Sequence, residues 1–327
     1  MSEEGTEEGS TRAVLAALGA NVGIAVTKLV AFLITGSASM LAETVHSVAD
    51  SGNEVLLLVG RRRSGRAETR QHPFGFGRER YFYGFIVAVM LFAVGGVYSV
   101  YDGIRKIIHP DHLTTPAVAF AVLGVAIVLE AFSLRTAVSR SNDVRGKLSW
   151  TAFIRRAKAP ELPVVLLEDT AALTGLLFAL IGVTLAVITG NGAWDGAGSL
   201  AIGALLCCVA AVLAVEMKSL LIGESASAES ERAIVAALEN GPEVECVIHL
   251  RTVHIGPESL LVGAKIEVRR DLTAAGIAAA INSAERRVRE AVPIAEVIYL
   301  EPDVYRPALD DATDPAVRAA RHLDDQP

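Results

Sequence analysis

Six apolar stretches, roughly 13–35, 38–60, 82–103, 116–134, 163–188 and 194–216, each reach the length of about 20 mostly apolar residues that a bilayer-spanning helix requires. The first two thirds of the chain therefore read as a helical membrane bundle. Composition agrees: 52% of the 327 residues are hydrophobic and only 20% charged, far from the balance of a soluble domain. The opening MSEEGTEEGS is acidic, and the first apolar run is long and carries Lys28, which argues against a cleaved signal peptide.

Charge divides the chain. Residues 1–216 hold 18 Lys+Arg and 18 Asp+Glu, and residues 217–327 hold 12 and 19, so the whole net charge of -7 falls in the C-terminal third. This balance argues against a nucleic-acid partner, which calls for a basic face, and leaves a cation as the more natural partner. Cys207, Cys208 and Cys246 have the spacing of neither a disulfide framework nor a thiolate metal site and read as buried reduced thiols.

Lys and Arg in the loops set the orientation. Seven arginines follow the second span (Arg61, Arg62, Arg63, Arg66, Arg70, Arg78, Arg80), and seven basic residues follow the fourth, from Arg135 to Lys158. The opposite loops hold Arg105 and Lys106 alone. Both termini are expected in the cytoplasm of a multi-pass cell-membrane protein.

Ionisable groups inside a span are functional candidates by default. The second span reads SASMLAETVHSVADSGNEVLLLVG and places Glu43, His46, Asp50 and Glu54 in one apolar helix. His46 and Asp50, at i and i+4, share a face and can grip one ion. The fifth span, PVVLLEDTAALTGLL, brings Glu168 and Asp169 to a similar depth. Neighbours on a helix diverge by about 100°, so these two cannot point into one site alike. An imidazole with two or three carboxylates suits a divalent transition metal, Zn2+ first, with Fe2+, Co2+ or Mn2+ open. Asn21 and Lys28 are positioned to pair with Glu43 or Glu54. His72 reads as part of a turn seating the third span.

The C-terminal third reads as helix (Ser227 to Glu239), two strands (Val244 to Ile255, Leu260 to Val268), helix (Thr273 to Ala291) and strand (Ile294 to Leu300). His249 and His254, five apart in one strand, face opposite sides. The expected fold class is an all-α six-helix transmembrane bundle followed by a small cytoplasmic α+β (αββαβ) domain. Its parts are a disordered acidic tail (1–11), the six-span domain (12–216), the cytoplasmic domain (217–302) and a disordered Pro-, Asp- and Ala-rich tail (303–327).

Six spans, the His46-x-x-x-Asp50 pair, the acidic patch of the fifth span, the HPFGFGRERYF loop (residues 72–82) and the αββαβ tail together resemble the cation diffusion facilitator family of metal transporters. The resemblance covers residues 12–302. It implies a homodimer, docked through its tails, that moves Zn2+ or a similar ion out of the cytoplasm in exchange for protons. No cofactor is implied: the metal is cargo. Zinc-handling members commonly carry His or Asp four residues before the fifth-span aspartate, where this chain has Val165. The implied ligand set is His46, Asp50 and Asp169, with Glu168 as a fourth contact. Among rival readings, an enzyme lacks its motifs, with no His-Glu-x-x-His in the chain. A cation channel or a non-transporting membrane scaffold remains as the alternative.

Overall fold

The computed structural model describes residues 3–35, 38–110 and 116–306, with side chains from Thr11 onward except those of 35–43, 45 and 46. The chain divides into two compact units, one formed by the residues up to Arg66 with Glu79–Lys218, the other by Ala67–Arg78 with the residues from Ser219 on.

In the first unit, helix α1 (Glu3–Thr35) lies against α2 (Ala38–Ser64) and α5 (Pro116–Arg145), and α5 packs on α7 (Glu161–Thr189). The third span is one apolar segment, Glu79–Ile108. It consists of α3 (Glu79–Met90), a π-helical stretch Leu91–Val97, and α4 (Tyr98–Ile108); such wide turns are rare and cluster at functional sites. A short helix the sequence did not suggest, α6 (Trp150–Arg156), is capped by Ser149, whose hydroxyl accepts from the Ala152 amide at 3.2 Å. α8 (Ala193–Ile222) lies against the third span along a glycine seam. A Cβ at Gly103 would come within 2.6 Å of the Leu200 amide nitrogen, and one at Gly196 within 2.9 Å of the Gly103 carbonyl oxygen. The two backbones touch there, as small residues allow in lipid.

Among the described residues, five helical segments are long and apolar enough to cross a membrane: Thr11–Ile34, Glu79–Ile108, Pro116–Arg145, Glu161–Thr189 and Ala193–Ile222. The sixth expected span is α2, 27 residues long. It falls short on apolarity because Glu43, Asp50, Glu54 and a terminal arginine run interrupt it. Large apolar side chains such as Leu33, Ile34, Phe132 and Ile188 stand exposed on the bundle's outer surface, the face lipid would cover.

Three expectations change. α1 already begins at Glu3, so residues 3–11 of the acidic opening are helical. None of the three cysteines is fully buried: Cys208 is exposed on α8, and Cys207 and Cys246 are half-buried. Arg80, counted among the loop charges, is buried in α3, where its Nε and Nη2 donate to Glu161 at 2.5 and 2.8 Å.

The second unit contains α9 (Ala228–Glu239), β1 (Val244–Gly256), β2 (Ser259–Val268), α10 (Ala274–Ala291) and β3 (Ala295–Asp303). The strands form one sheet in the order β1-β2-β3, with β1/β2 antiparallel and β2/β3 parallel; α10 is the crossover the parallel pair requires. Ser227 and Thr273 cap the two helices, accepting from the amides of Ser230 at 3.0 Å and Gly276 at 3.2 Å. Ile234, Leu238, Leu250, Leu260, Val262, Ile266 and Val288 form the core between helices and sheet. His249 pairs with Lys265 and His254 with Leu260 in unbroken register, which keeps the two imidazoles on opposite faces. His72 closes a turn with Thr69, each accepting the other's amide at 3.0–3.2 Å. Of the expected disordered C-terminal tail, residues 307–327 lie outside the described residues.

Candidate metal-binding cavity

The polar residues of α1, α2, α5 and α7 are held by one another across the bundle. On α2, Ser47 is buried and accepts from Lys28 Nζ of α1 at 2.9 Å. One turn further, Asp50 is half-buried. Glu54, another turn on, is fully buried, and its Oε1 accepts from Asn21 Nδ2 at 2.8 Å, the pairing foreseen for Asn21. Between them Asn53 reaches α7, its Nδ2 donating to Glu168 Oε1 at 2.8 Å.

On α7 the adjacent carboxylates take different partners. Glu168 turns to Asn53 of α2, while Asp169 Oδ2 accepts from Ser133 Oγ of α5 at 2.6 Å. Glu130, one turn before Ser133 on α5, is buried in the electrostatic field of Asp169, Asp50 and Lys28. Val165, four residues before Asp169, is fully buried in the apolar cluster with Val164, Leu166 and Leu57.

Asp50, Glu168 and Asp169 line one cavity of about 260 Å³, together with Asn21, Lys28, Ser47 and Glu130. The same cavity reaches a second charged group, in which Lys106 Nζ lies 2.8 Å from Asp102 and 3.0 Å from Asp195. Ser199 Oγ donates to Asp102 there at 3.3 Å. Lys106, expected in a loop, thus belongs to α4 and is paired.

Three of the four expected metal ligands, Asp50, Glu168 and Asp169, therefore meet at one cavity. The fourth, His46, sits on α2 one turn before Asp50, and its side chain lies outside the described residues. Among the described residues, no group of three His, Cys, Asp or Glu side chains is arranged to hold a metal ion.

The family model described as the cation efflux transmembrane domain matches residues 14–222, more than half of the chain. The chain belongs to the cation efflux family. The match contains the whole cavity and stops before α9. Among relatives in this family, the proton-coupled zinc antiporter SLC30A9, mitochondrial, of Homo sapiens is 34% identical over 231 residues, covering 70% of this chain and 41% of that protein. Metal tolerance protein C4 of Arabidopsis thaliana is 29% identical over 263 residues, covering 80% of this chain and 58% of its own length. The magnetosome protein MamB of Magnetospira sp. (strain QH-2) is 27% identical over 192 residues, covering 54% and 64%. The chain spans less than two thirds of each of these three relatives.

Proposed function

We propose that this protein is a secondary active exporter that carries a divalent transition metal cation out of the cytoplasm in exchange for protons. Zn2+ is the first candidate, with Fe2+, Co2+ and Mn2+ open to an oxygen-rich site. The observation that carries the reading is the meeting of Asp50, Glu168 and Asp169 at one cavity inside an apolar bundle. Carboxylates at such depth are expensive to keep for packing. Membership of the cation efflux family and the name of the human relative support the same reading.

His46 and Asp50 of α2 and Asp169 of α7 hold the ion, and Glu168 supplies the fourth contact. Ser133 fixes the Asp169 carboxylate by its 2.6 Å hydrogen bond, the kind of support that orients a metal ligand. Imidazole and carboxylates must be deprotonated to bind a cation, so uptake of metal releases protons and protonation releases metal. Exchange then follows from ligand chemistry, with no reaction catalysed and no resident cofactor. Both termini face the cytoplasm, a placement supported by the arginine-rich segment after α2. Two copies act together, joined through their αββαβ units.

The test is metal-dependent proton flux in proteoliposomes, with wild type beside Asp50→Ala. Loss of flux in the variant supports the site, and wild-type rates would remove Asp50 from it. A competition of Zn2+, Fe2+, Co2+ and Mn2+ in the same vesicles ranks the substrates. Current of thousands of ions per opening, indifferent to protons, would replace the exporter by a channel.

A further inference from the structure

Five acidic side chains of the first unit are buried among the described residues: Glu54, Glu130, Glu161, Glu168 and Asp169. Four of them have a donor. Asn21 serves Glu54, Arg80 serves Glu161, Asn53 serves Glu168 and Ser133 serves Asp169. Glu130, 5% exposed, accepts no hydrogen bond and forms no ion pair among the described residues. Lys28, on the wall of the same cavity, directs its ammonium to Ser47 at 2.9 Å.

Packing alone does not call for a carboxylate at this position. Along α5 the cavity is lined by Val122, Ala126 and Glu130, four residues apart and so on one helix face. The first two are apolar, and a third apolar side chain would complete the stripe at no electrostatic cost. A buried carboxylate without a donor is among the costlier groups a fold can keep. The position is nevertheless tied to the candidate site. Ser133, three residues on, shares the face of Glu130, with Cβ atoms about 5–6 Å apart at that spacing. Its hydroxyl lies 2.6 Å from Asp169 Oδ2. Glu130 thus stands one turn of α5 from the group that anchors Asp169, and both carboxylates line the one cavity.

We propose that Glu130 is a further cation-binding residue of this cavity, supplied by α5 and meeting the transported divalent ion next to Asp169. The inference rests on the exporter reading above and adds a third helix to it, since the ligands named there come from α2 and α7. The compensating charge that the protein does not supply to Glu130 comes from the ion. Beyond Glu130 the α5 wall turns apolar at Ala126 and Val122, so an ion moving from Asp169 along this wall is held by a carboxylate before it meets the apolar stretch. An oxygen donor suits the borderline and hard divalent ions proposed as cargo.

The experiment measures Zn2+ binding by the full-length protein in nanodiscs, using equilibrium dialysis, for wild type, Glu130→Gln and Asp169→Asn. Glu130→Gln keeps the shape and removes the charge, and should weaken Zn2+ at least tenfold. Affinity equal to wild type would overturn the proposal and leave Glu130 a neutral filler of the α5 stripe. Direct contact, as opposed to attraction at a distance, is read from Glu130→Cys in a background carrying Cys207→Ser, Cys208→Ser and Cys246→Ser. Added Cd2+ should give a thiolate-to-metal charge-transfer band that Zn2+ displaces; Cd2+ bound without that band would equally overturn the proposal. Asp169→Asn separates the two readings. Wild-type Zn2+ affinity in Asp169→Asn would sink the transport site itself, whereas loss of binding there beside an unchanged Glu130→Gln would sink this inference alone.

Discussion

Glu168 and Asp169, adjacent in sequence, are anchored to different helices: Glu168 accepts from Asn53 of α2 at 2.8 Å, and Asp169 from Ser133 of α5 at 2.6 Å. The divergence follows from helical geometry, since consecutive side chains point about 100° apart. Asn53 and Ser133 thus each hold one of the two carboxylates on its own side of α7.

Removing the Ser133 hydroxyl tests this division. Ser133→Ala should leave the bundle folded, because Ala is smaller and apolar, and should free Asp169 to turn. Loss of such an orienting contact typically weakens metal affinity about 10–100-fold. The apparent KM for metal should rise by that order in vesicle uptake; an unchanged KM would mean that Ser133 does not position the ligand.

The Arg80–Glu161 pair ties the start of α3 to the start of α7, 81 residues apart, with both side chains at or below 5% exposure. Removing either partner strands a buried charge, and each single alanine variant should be destabilised by roughly 3–5 kcal/mol. The double variant should fall well short of the sum. Thermal unfolding in detergent measures all three, and strictly additive losses would show that the residues do not act as a pair.

Backbone contact between α4 and α8 leaves no room at Gly103. A methyl group there would press on the Leu200 nitrogen and the Gly196 carbonyl oxygen, 2.6 and 2.8 Å away. Gly103→Ala should therefore part the helices and destabilise the bundle by about 1–3 kcal/mol. Gly124, with nothing within 4 Å of its added Cβ, is the control, and Gly124→Ala should be neutral or slightly stabilising.

In the αββαβ unit, the Val304 amide and then Lys265 hold the Asp303 carboxyl below the usual aspartate range. Asp303 therefore contributes stability at any pH above the unfolded aspartate value, and that contribution disappears as pH falls through its own lower value. Carbon-13 carboxyl titration should find its midpoint below that of an unpaired aspartate. A midpoint at or above the ordinary value would mean that Val304 and Lys265 do not hold it.

Local patterns were enough to read much of this structure. The αββαβ order followed from the switch between helical and strand periodicity, and α10 and β3 lie within three residues of their expected bounds. Asp50, Glu168 and Asp169 stood out because charge in lipid is costly. Asn53 and Ser133 did not, since polar uncharged residues are common in membrane helices and their roles appear only when helices 36 to 115 residues apart are brought together. Arg80 and Lys106 were misread for a related reason. At the end of an apolar run, a basic residue looks like a loop charge until its carboxylate partner on another helix is known.

The central claim, that one intramembrane cavity couples metal to protons, is tested most directly by uphill uptake. Proteoliposomes with an acidic interior and equal Zn2+ on both sides should accumulate Zn2+ as protons leave. Accumulation should vanish with a protonophore and in Asp169→Asn. Zn2+ entry that ignores the proton gradient, or that persists in Asp169→Asn, would contradict it.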